Sequence, residues 1–313
     1  LEGESKMGLK KLGIAAAAAG LFGAAGVAQA SITFSFDPTG GGSTAINNAG
    51  LLDQAPGNSI GQKAVAGGGP LAVGTKVDSL YQANLSNVQA LDNSVLFSNG
   101  TGGKYFTFVA GFEETVISSS GGVAVTNNFS ISNGGFFKMC AQGGIGDNLG
   151  GTGFSCAGNG ILSGTITGGF STQTGFPATL GDLDQAGLTN DWPGVKTVTS
   201  SGAATLHLTI NYINAGYFPD LDNGSDIVIS FVNSSNITPF NQVDPSRKFS
   251  TDGVQNGNYN TNIGATNGIT GPDFLFQSDA NASFDRRVPE PGSLALFGLA
   301  LGVAGWLGRR RRA

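Results

Sequence analysis

The chain has 313 residues, of which 52 are glycine, 40% are hydrophobic and only 12% are charged. The charged fraction is about half that of a typical soluble domain, which argues against most cytoplasmic enzymes. The hydrophobic fraction is too high for a disordered chain. Residues 31–287 contain 9 basic and 18 acidic side chains. This net charge of −9 disfavours direct binding to nucleic acid.

The N-terminal segment has the organisation of a secretory signal peptide. Two lysines precede an uninterrupted apolar run at 12–27, and small residues follow it. This order predicts cleavage between Ala30 and Ser31. An alanine-rich core helix is the alternative, but such a run has no polar face to leave in water. We therefore interpret residues 1–30 as a signal peptide, with 1–6 as upstream residues.

The segment from 31 to 287 is predicted to be one exported, all-β domain. Short runs alternate apolar and polar residues, and each is bounded by Gly, Asn, Ser or Pro. These runs lie at 31–36, 104–109, 123–131, 135–139, 161–167, 204–213, 226–232 and 273–276. Many short strands separated by turns predict an antiparallel β-sandwich or jelly-roll-like body.

Two segments of the body do not fit the strand pattern. Residues 77–90 are the best candidate for a helix, although their apolar stripe is short. Residues 241–271 are rich in Asn, Gly, Thr and Asp and are predicted to form a long surface loop.

Cys140 and Cys156 are the only cysteines, and a glycine-rich segment separates them. In an exported protein such a pair predicts a disulfide. A metal or redox role would require further ligands or a Cys-x-x-Cys spacing, and the sequence contains neither.

The residues that could support catalysis are few. The Gly-x-Ser-x-Gly match at 57–61 follows a turn sequence, whereas a nucleophile elbow requires a buried strand before it. The single histidine, His207, is predicted to face solvent on the polar side of its strand. Glu113 and Glu114 are adjacent, so on a strand they would point to opposite faces. We therefore expect a protein that is not an enzyme.

One acidic segment is a candidate for binding Ca²⁺. Asp220, Asp222 and Asp226 place three carboxylates around a glycine, a density that can bind calcium in an exported loop. The pattern is not an EF-hand, and we favour a tight turn that leads into a strand at 227–231. No other cofactor is expected.

The C-terminal tail has three parts in a fixed order. Pro289, Glu290 and Pro291 come first, an apolar run at 293–308 follows, and Arg309, Arg310, Arg311 and Arg312 come last. The run spans about 24 Å as a helix, slightly short of a hydrocarbon core of about 30 Å. The arginines should keep the C-terminus cytoplasmic. A plain membrane anchor is the alternative, but it has no need of the Pro-Glu-Pro element.

In this order and spacing, the tail (288–313) resembles the PEP-CTERM sorting signal of Gram-negative bacteria. The resemblance implies that signal peptidase and exosortase process the protein, that residues 293–308 hold it in the inner membrane transiently, and that the body reaches the cell surface or the extracellular matrix.

A second resemblance concerns the body. Residues 52–59 and 274–284 are similar to the flocculation-associated PEP-CTERM (PepA) proteins, although Gln54 stands where an aromatic residue is often found. This resemblance implies a role in flocculation and biofilm, within exopolysaccharide. The alternatives are a carbohydrate-binding module, a carbohydrate-active enzyme or a structural spacer. For a sugar-binding face, Trp192 and Tyr217 are the first candidates.

Overall fold

The computed structural model of the chain describes residues 29–64, 70–221, 227–230 and 234–287. The predicted sorting tail lies outside these residues, as does the predicted signal peptide except for Gln29 and Ala30. Within the described part, no helix is long and apolar enough to cross a membrane.

The body is all-β, as the sequence predicts, and its strands pair antiparallel except at 266–267, which pair parallel to 196–197. The described residues contain a single turn of 3₁₀ helix, at Thr101–Gly103. Their strands are β1 (Gln29–Ser31), β2 (Phe34–Phe36), β3 (Ile46–Gln54), β4 (Gly57–Gln62), β5 (Lys76–Ala90), β6 (Val95–Ser98), β7 (Tyr105–Ser120), β8 (Val125–Ile131), β9 (Gly135–Gln142), β10 (Gly160–Asp182), β11 (Lys196–Ile213), β12 (Ile227–Ser230), β13 (Ser234–Thr238), β14 (Phe249–Thr251), β15 (Val254–Asn256), β16 (Thr266–Asn267), β17 (Phe274–Asp279) and β18 (Asn281–Arg287).

The main sheet closes on itself as a ring of eight strand positions. Four positions are the long strands β5, β7, β10 and β11, and each of the other four is a pair of strands separated by a short break: β3 with β4, β8 with β9, β12 with β13, and β17 with β18. Successive positions along the chain are antiparallel neighbours. The last position pairs with the first through β17 with β4 and β18 with β3.

The ring has two halves with different interiors. We call the end that contains β4, β8, β13 and β17 the upper half, and the end that contains β3, β9, β12 and β18 the lower half. Phenylalanine rings fill the interior of the lower half: Phe34, Phe36, Phe97, Phe106, Phe108, Phe137, Phe218 and Phe284. Phe36 packs edge to face against Phe106, with ring centroids 5.2 Å apart.

Glycine allows β10 to change its neighbour between the halves. β10 pairs with β9 up to Ile166 and with β8 from Gly169 onward. An irregularity in its pairing with β11 falls between Ile166 and Gly168. Gly168 and Gly169 have φ values of 151° and 152°. A Cβ on Gly169 would lie 2.1 Å from the carbonyl oxygen of Thr205, so a side chain there would push β11 away.

A second core covers the outer face of β17, β4 and β5. Residues 239–272, which we call the strap, cross this face. The apolar side chains of this core come from the strap, from 183–195 and from the three strands: Ile60, Leu80, Leu183, Trp192, Phe240, Val243, Phe249, Tyr259, Ile263 and Leu275. Buried amides fix the strap: the Gln82 side chain donates to the Ser246 hydroxyl and the Lys248 carbonyl, both at 2.8 Å.

The structure corrects two of the sequence predictions. Residues 77–90 lie within the strand β5 rather than in a helix. Residues 241–271 are not a bare surface loop, because they contain β14, β15 and β16 and bury Phe249, Tyr259 and Ile263.

A disulfide joins Cys140 of β9 to Cys156, as the sequence predicts, with Cα atoms 5.4 Å apart. Both cysteines are buried beside Val109 and Phe154. The bond therefore holds the loop after β9 against the outer face of β7 and β9.

Removing the disulfide should destabilise the folded chain. For a sequence separation of 16 residues, loop-closure entropy predicts a loss of about 3 kcal/mol in the free energy of unfolding. Denaturant unfolding of the Cys140→Ala/Cys156→Ala double variant measures this loss. Reduced wild-type protein should lose a similar amount, and an unchanged unfolding midpoint in both would contradict the prediction.

The strap should depend on the Gln82 amide. Gln82→Ala removes the two hydrogen bonds above and the acceptor for the buried Ser250 N–H at 3.2 Å, whereas the Lys248 carbonyl keeps its hydrogen bond from the Ser246 hydroxyl. We expect a cost of about 2–4 kcal/mol in unfolding free energy and faster hydrogen exchange in the strap. The matched control is Gln89→Ala on the same strand, since Gln89 is half-buried and bonds Asp53 alone. Equal effects of the two variants would refute the prediction.

Candidate functional site

The interior of the upper half is a cavity of about 140 Å³. It exists because many inward-facing residues on its strands are small, among them Ser59, Ser79, Gly175 and Ser278. It extends to the upper end of the ring, where Pro177 also lines it and is partly exposed. The remaining lining is largely apolar and aromatic. This combination of an apolar cavity with few polar groups is typical of small-molecule sites.

Among the described residues that line the cavity, Glu114 carries the one carboxyl group. Its position on β7 points inward, and its side chain is buried. The Ser79 hydroxyl donates to one carboxylate oxygen at 2.6 Å, and the Ser171 hydroxyl donates to the other. Burial raises the pKa of the Glu114 carboxyl, and the hydrogen bonds from Ser171 and Ser79 oppose that shift.

Glu113 faces the opposite side of β7, as strand geometry predicts. It lies on the outer surface and forms an ion pair with Lys76 at 2.8 Å. The two adjacent glutamates therefore do not form a catalytic pair across the cavity. Hydrolysis of a glycoside commonly uses two carboxyl groups that flank one bond, and Glu114 has no second carboxyl beside it among the lining residues.

The outward-facing residues of β8, β10 and β11 form a broad polar surface, which we call the outer wall. The strap covers β17, β4 and β5, and it contacts the three strands of the outer wall where β16 pairs with Lys196 and Thr197 at the start of β11. Their sequences contain one lysine and one aspartate, Lys196 and Asp182, which pair with each other at 2.6 Å. The other outward-facing side chains are mostly Ser, Thr and Asn. Cross-strand hydrogen bonds order them, such as Thr126 with Thr174 at 3.0 Å and Asn211 with Thr165 at 2.9 Å.

Phe170 lies on the outer wall, opposite Ser130 on β8 and Thr205 on β11. Its side chain is 65% exposed. Phe176 and Tyr212 are also exposed on β10 and β11. An aromatic ring between hydroxyl groups offers apolar contact and hydrogen bonds on one flat surface.

The aromatic residues singled out from the sequence are not on this surface. Trp192 is buried under the strap, where its indole N–H donates to the Pro245 carbonyl at 2.8 Å. Tyr217 packs edge to face on Phe106, with ring centroids 6.0 Å apart. Trp192 is therefore not free to stack on a sugar, and Tyr217 is half-buried beside Phe106. Alternation along β10 is the sequence signal that could have identified Phe170 instead.

The remaining candidates fall into structural roles. Residues 57–61 lie in the strand β4, where the Ser59 hydroxyl pairs with that of Ser278 at 2.7 Å. His207 is partly exposed on β11 opposite Gly168, on the outer side as predicted.

The predicted calcium segment is only partly described. Asp220 accepts hydrogen bonds from the Ser35 backbone N–H at 2.8 Å and the Ser35 hydroxyl at 2.9 Å, and β12 follows as a strand. Asp222 and Asp226 lie outside the described residues.

A different acidic cluster was missed from the sequence. Asp184, Asp191 and Asp244 place carboxylate oxygens within 4.8 Å of one another. Both oxygens of Asp184 accept backbone N–H groups, from Ala186 at 3.1 Å and Asp191 at 2.8 Å. Burial, reinforced by the neighbouring carboxylates, raises the pKa of Asp244. The cluster joins distant parts of the chain, so no local sequence motif could reveal it.

Comparison with known protein families confirms the resemblance of the tail. Residues 287–312 match the PEP-CTERM protein-sorting motif. The match supports a PEP-CTERM protein, and the motif implies export to the surface of a Gram-negative bacterium with processing by exosortase. Comparisons with curated proteins and with solved structures found no match.

The pKa of Glu114 should make stability fall as pH rises. The folded state binds the proton of the Glu114 carboxyl more tightly than the unfolded state does. The contribution of Glu114 to the free energy of unfolding is therefore greatest at low pH. It is lost as pH rises from the ordinary pKa of 4.5 through the raised folded value. Glu114→Gln should remove that part of the pH dependence, as measured by denaturant unfolding across pH. Tyr81 is the other titratable group lining the cavity, and burial raises its pKa further above the neutral range.

Glu113→Gln on the same strand is the control. The hydrogen bond from Lys76 lowers the pKa of Glu113, so its contribution is lost as pH falls. The change in pH dependence of stability that Glu113→Gln causes should therefore have the opposite sign to the change that Glu114→Gln causes. Identical pH profiles for the wild type and Glu114→Gln would contradict the assignment.

Proposed function

We propose that this PEP-CTERM protein acts outside the cell as a non-catalytic, cofactor-free matrix protein that promotes flocculation by binding exopolysaccharide. The single observation that carries the proposal is the outer wall: an open, nearly uncharged surface of hydroxyl and amide groups with Phe170 among them. The sorting motif supports the location, because it implies delivery of the body to the cell surface.

The chemistry of the outer wall matches that of a polysaccharide. Serine, threonine and asparagine side chains both donate and accept hydrogen bonds, as sugar hydroxyls do. The apolar face of a sugar ring can lie on the Phe170 ring. The surface also extends over three long strands, so several sugar units can bind side by side. Many weak contacts of this kind give useful avidity for a polymer.

The closed ring suits a binding protein that remains outside the cell. All eight positions have hydrogen-bonded neighbours on both sides, which removes the open sheet edges that promote uncontrolled association. A disulfide stabilises the same body. Flocculation would then depend on side chains of the outer wall rather than on strand addition between molecules.

Phe170→Ala should weaken binding of the full chain to the exopolysaccharide of its host by about fivefold to tenfold, equivalent to about 1.0–1.4 kcal/mol. It should also reduce flocculation when it replaces the wild-type protein in a deletion strain. Stability should not change, because the side chain is 65% exposed. Pull-down with isolated polysaccharide, sedimentation of the cells and thermal unfolding measure the three effects.

Leu188→Ala is the matched control, since Leu188 is fully exposed and lies in the segment after β10 rather than on the outer wall. Surface levels of each variant must equal those of the wild type. Normal flocculation in the deletion strain would overturn the role in aggregation. Unchanged binding by Phe170→Ala would remove the outer wall as the contact surface. Saturable sugar hydrolysis would favour an enzyme, and the absence of any polysaccharide binding would favour a spacer.

A further inference from the structure

The cavity inside the upper half is too small for a polysaccharide, so the proposed function leaves it unused. Its volume is about 140 Å³. An apolar protein cavity of about 150 Å³ is large enough to hold benzene. A ligand of this cavity therefore has the size of a single small ring.

Five aromatic side chains contribute to the lining of the cavity. Tyr81, Phe112, Phe129, Phe274 and Phe276 all contribute to it. Phe274 and Phe276 stack on each other with ring centroids 5.5 Å apart. Aromatic faces favour apolar groups, and they also attract organic cations through the negative potential of the ring.

Glu114 gives this aromatic cavity its only carboxyl group. Both of its oxygens accept hydrogen bonds, from Ser79 and Ser171, which is the pattern that stabilises an ionised carboxylate. None of the described residues that line the cavity is a lysine, an arginine or a histidine. The site thus has hydrogen bonds ready to hold a negative charge and no cation of its own among the lining residues to neutralise it.

Neutral and anionic ligands would gain less binding free energy from this cavity than a cationic ligand would. An anion would meet Glu114 in a desolvated cavity, where like charges repel strongly. A neutral alcohol would gain apolar contact and one hydrogen bond. A protonated amine would gain the same apolar contact, an ion pair in a desolvated site and attraction to the aromatic rings.

We propose that the cavity binds a small organic cation, a protonated primary amine with a compact apolar body, and that Glu114 is its counter-ion. The site is separate from the outer wall and does not depend on the proposed function.

The test uses the full chain in lipid nanodiscs, with empty nanodiscs as the reference, and three probes that share one ring. These are benzylamine, benzyl alcohol and benzoate, titrated by calorimetry at pH 7. We expect benzylamine to bind at least tenfold more tightly than benzyl alcohol, and benzoate not to bind. Benzyl alcohol binding as tightly as benzylamine, or no binding of benzylamine, would overturn the proposal.

Two variants separate the charge from the cavity. Glu114→Gln keeps the side-chain shape, so it should abolish the advantage of benzylamine while leaving benzyl alcohol binding unchanged. Ala204→Phe, which adds a ring at a lining position, should weaken both ligands. Benzylamine binding that survives Glu114→Gln unchanged would place the amine elsewhere and refute the proposal. Polysaccharide binding by both variants should remain at the wild-type level, so failure here is distinguishable from failure of the outer wall.

Discussion

The pairing of the last strand position with the first is the interaction on which the rest of the structure depends. It joins β17 and β18 to β4 and β3, which are separated by more than 200 residues of sequence. Once the ring is closed, each strand residue faces either the interior or the exterior. The phenylalanine core, the cavity and the outer wall are therefore three consequences of one hydrogen-bonding pattern. Side-chain size decides which inner region is filled and which stays open.

Much of the fold could be predicted where one side of a strand faces solvent. Residues 204–213 alternate between apolar and polar side chains because the inner side of the strand is buried and the outer wall is open. β5 was missed for the opposite reason. The strap covers its outer side, so Leu80 and Gln82 are buried as well as Tyr81 and Ala83. The alternation of apolar and polar residues then disappears, and the sequence of 77–90 resembles that of a weakly amphipathic helix.

The strap was missed because its apolar residues are far apart in sequence and follow no period. Phe249, Tyr259 and Ile263 all pack in the second core, although they are separated in sequence. Local patterns detect elements with a repeating geometry, whereas this segment is ordered by tertiary contacts. The same limit applies to the candidate sites. Alternation placed Glu113 and Glu114 on opposite faces, but only ring closure reveals that the inner face encloses a cavity.

The position of β18 has a consequence for the order of events during biogenesis. This strand ends at Arg287, where the sorting motif begins. A chain that emerges from its amino end cannot complete the ring until nearly all of the body has passed through the export channel. Until then β3 and β4 lack the neighbours that shield their edges. Contacts of such long sequence separation also form slowly. Completion of the ring therefore cannot precede the emergence of β18, the strand that adjoins the sorting motif.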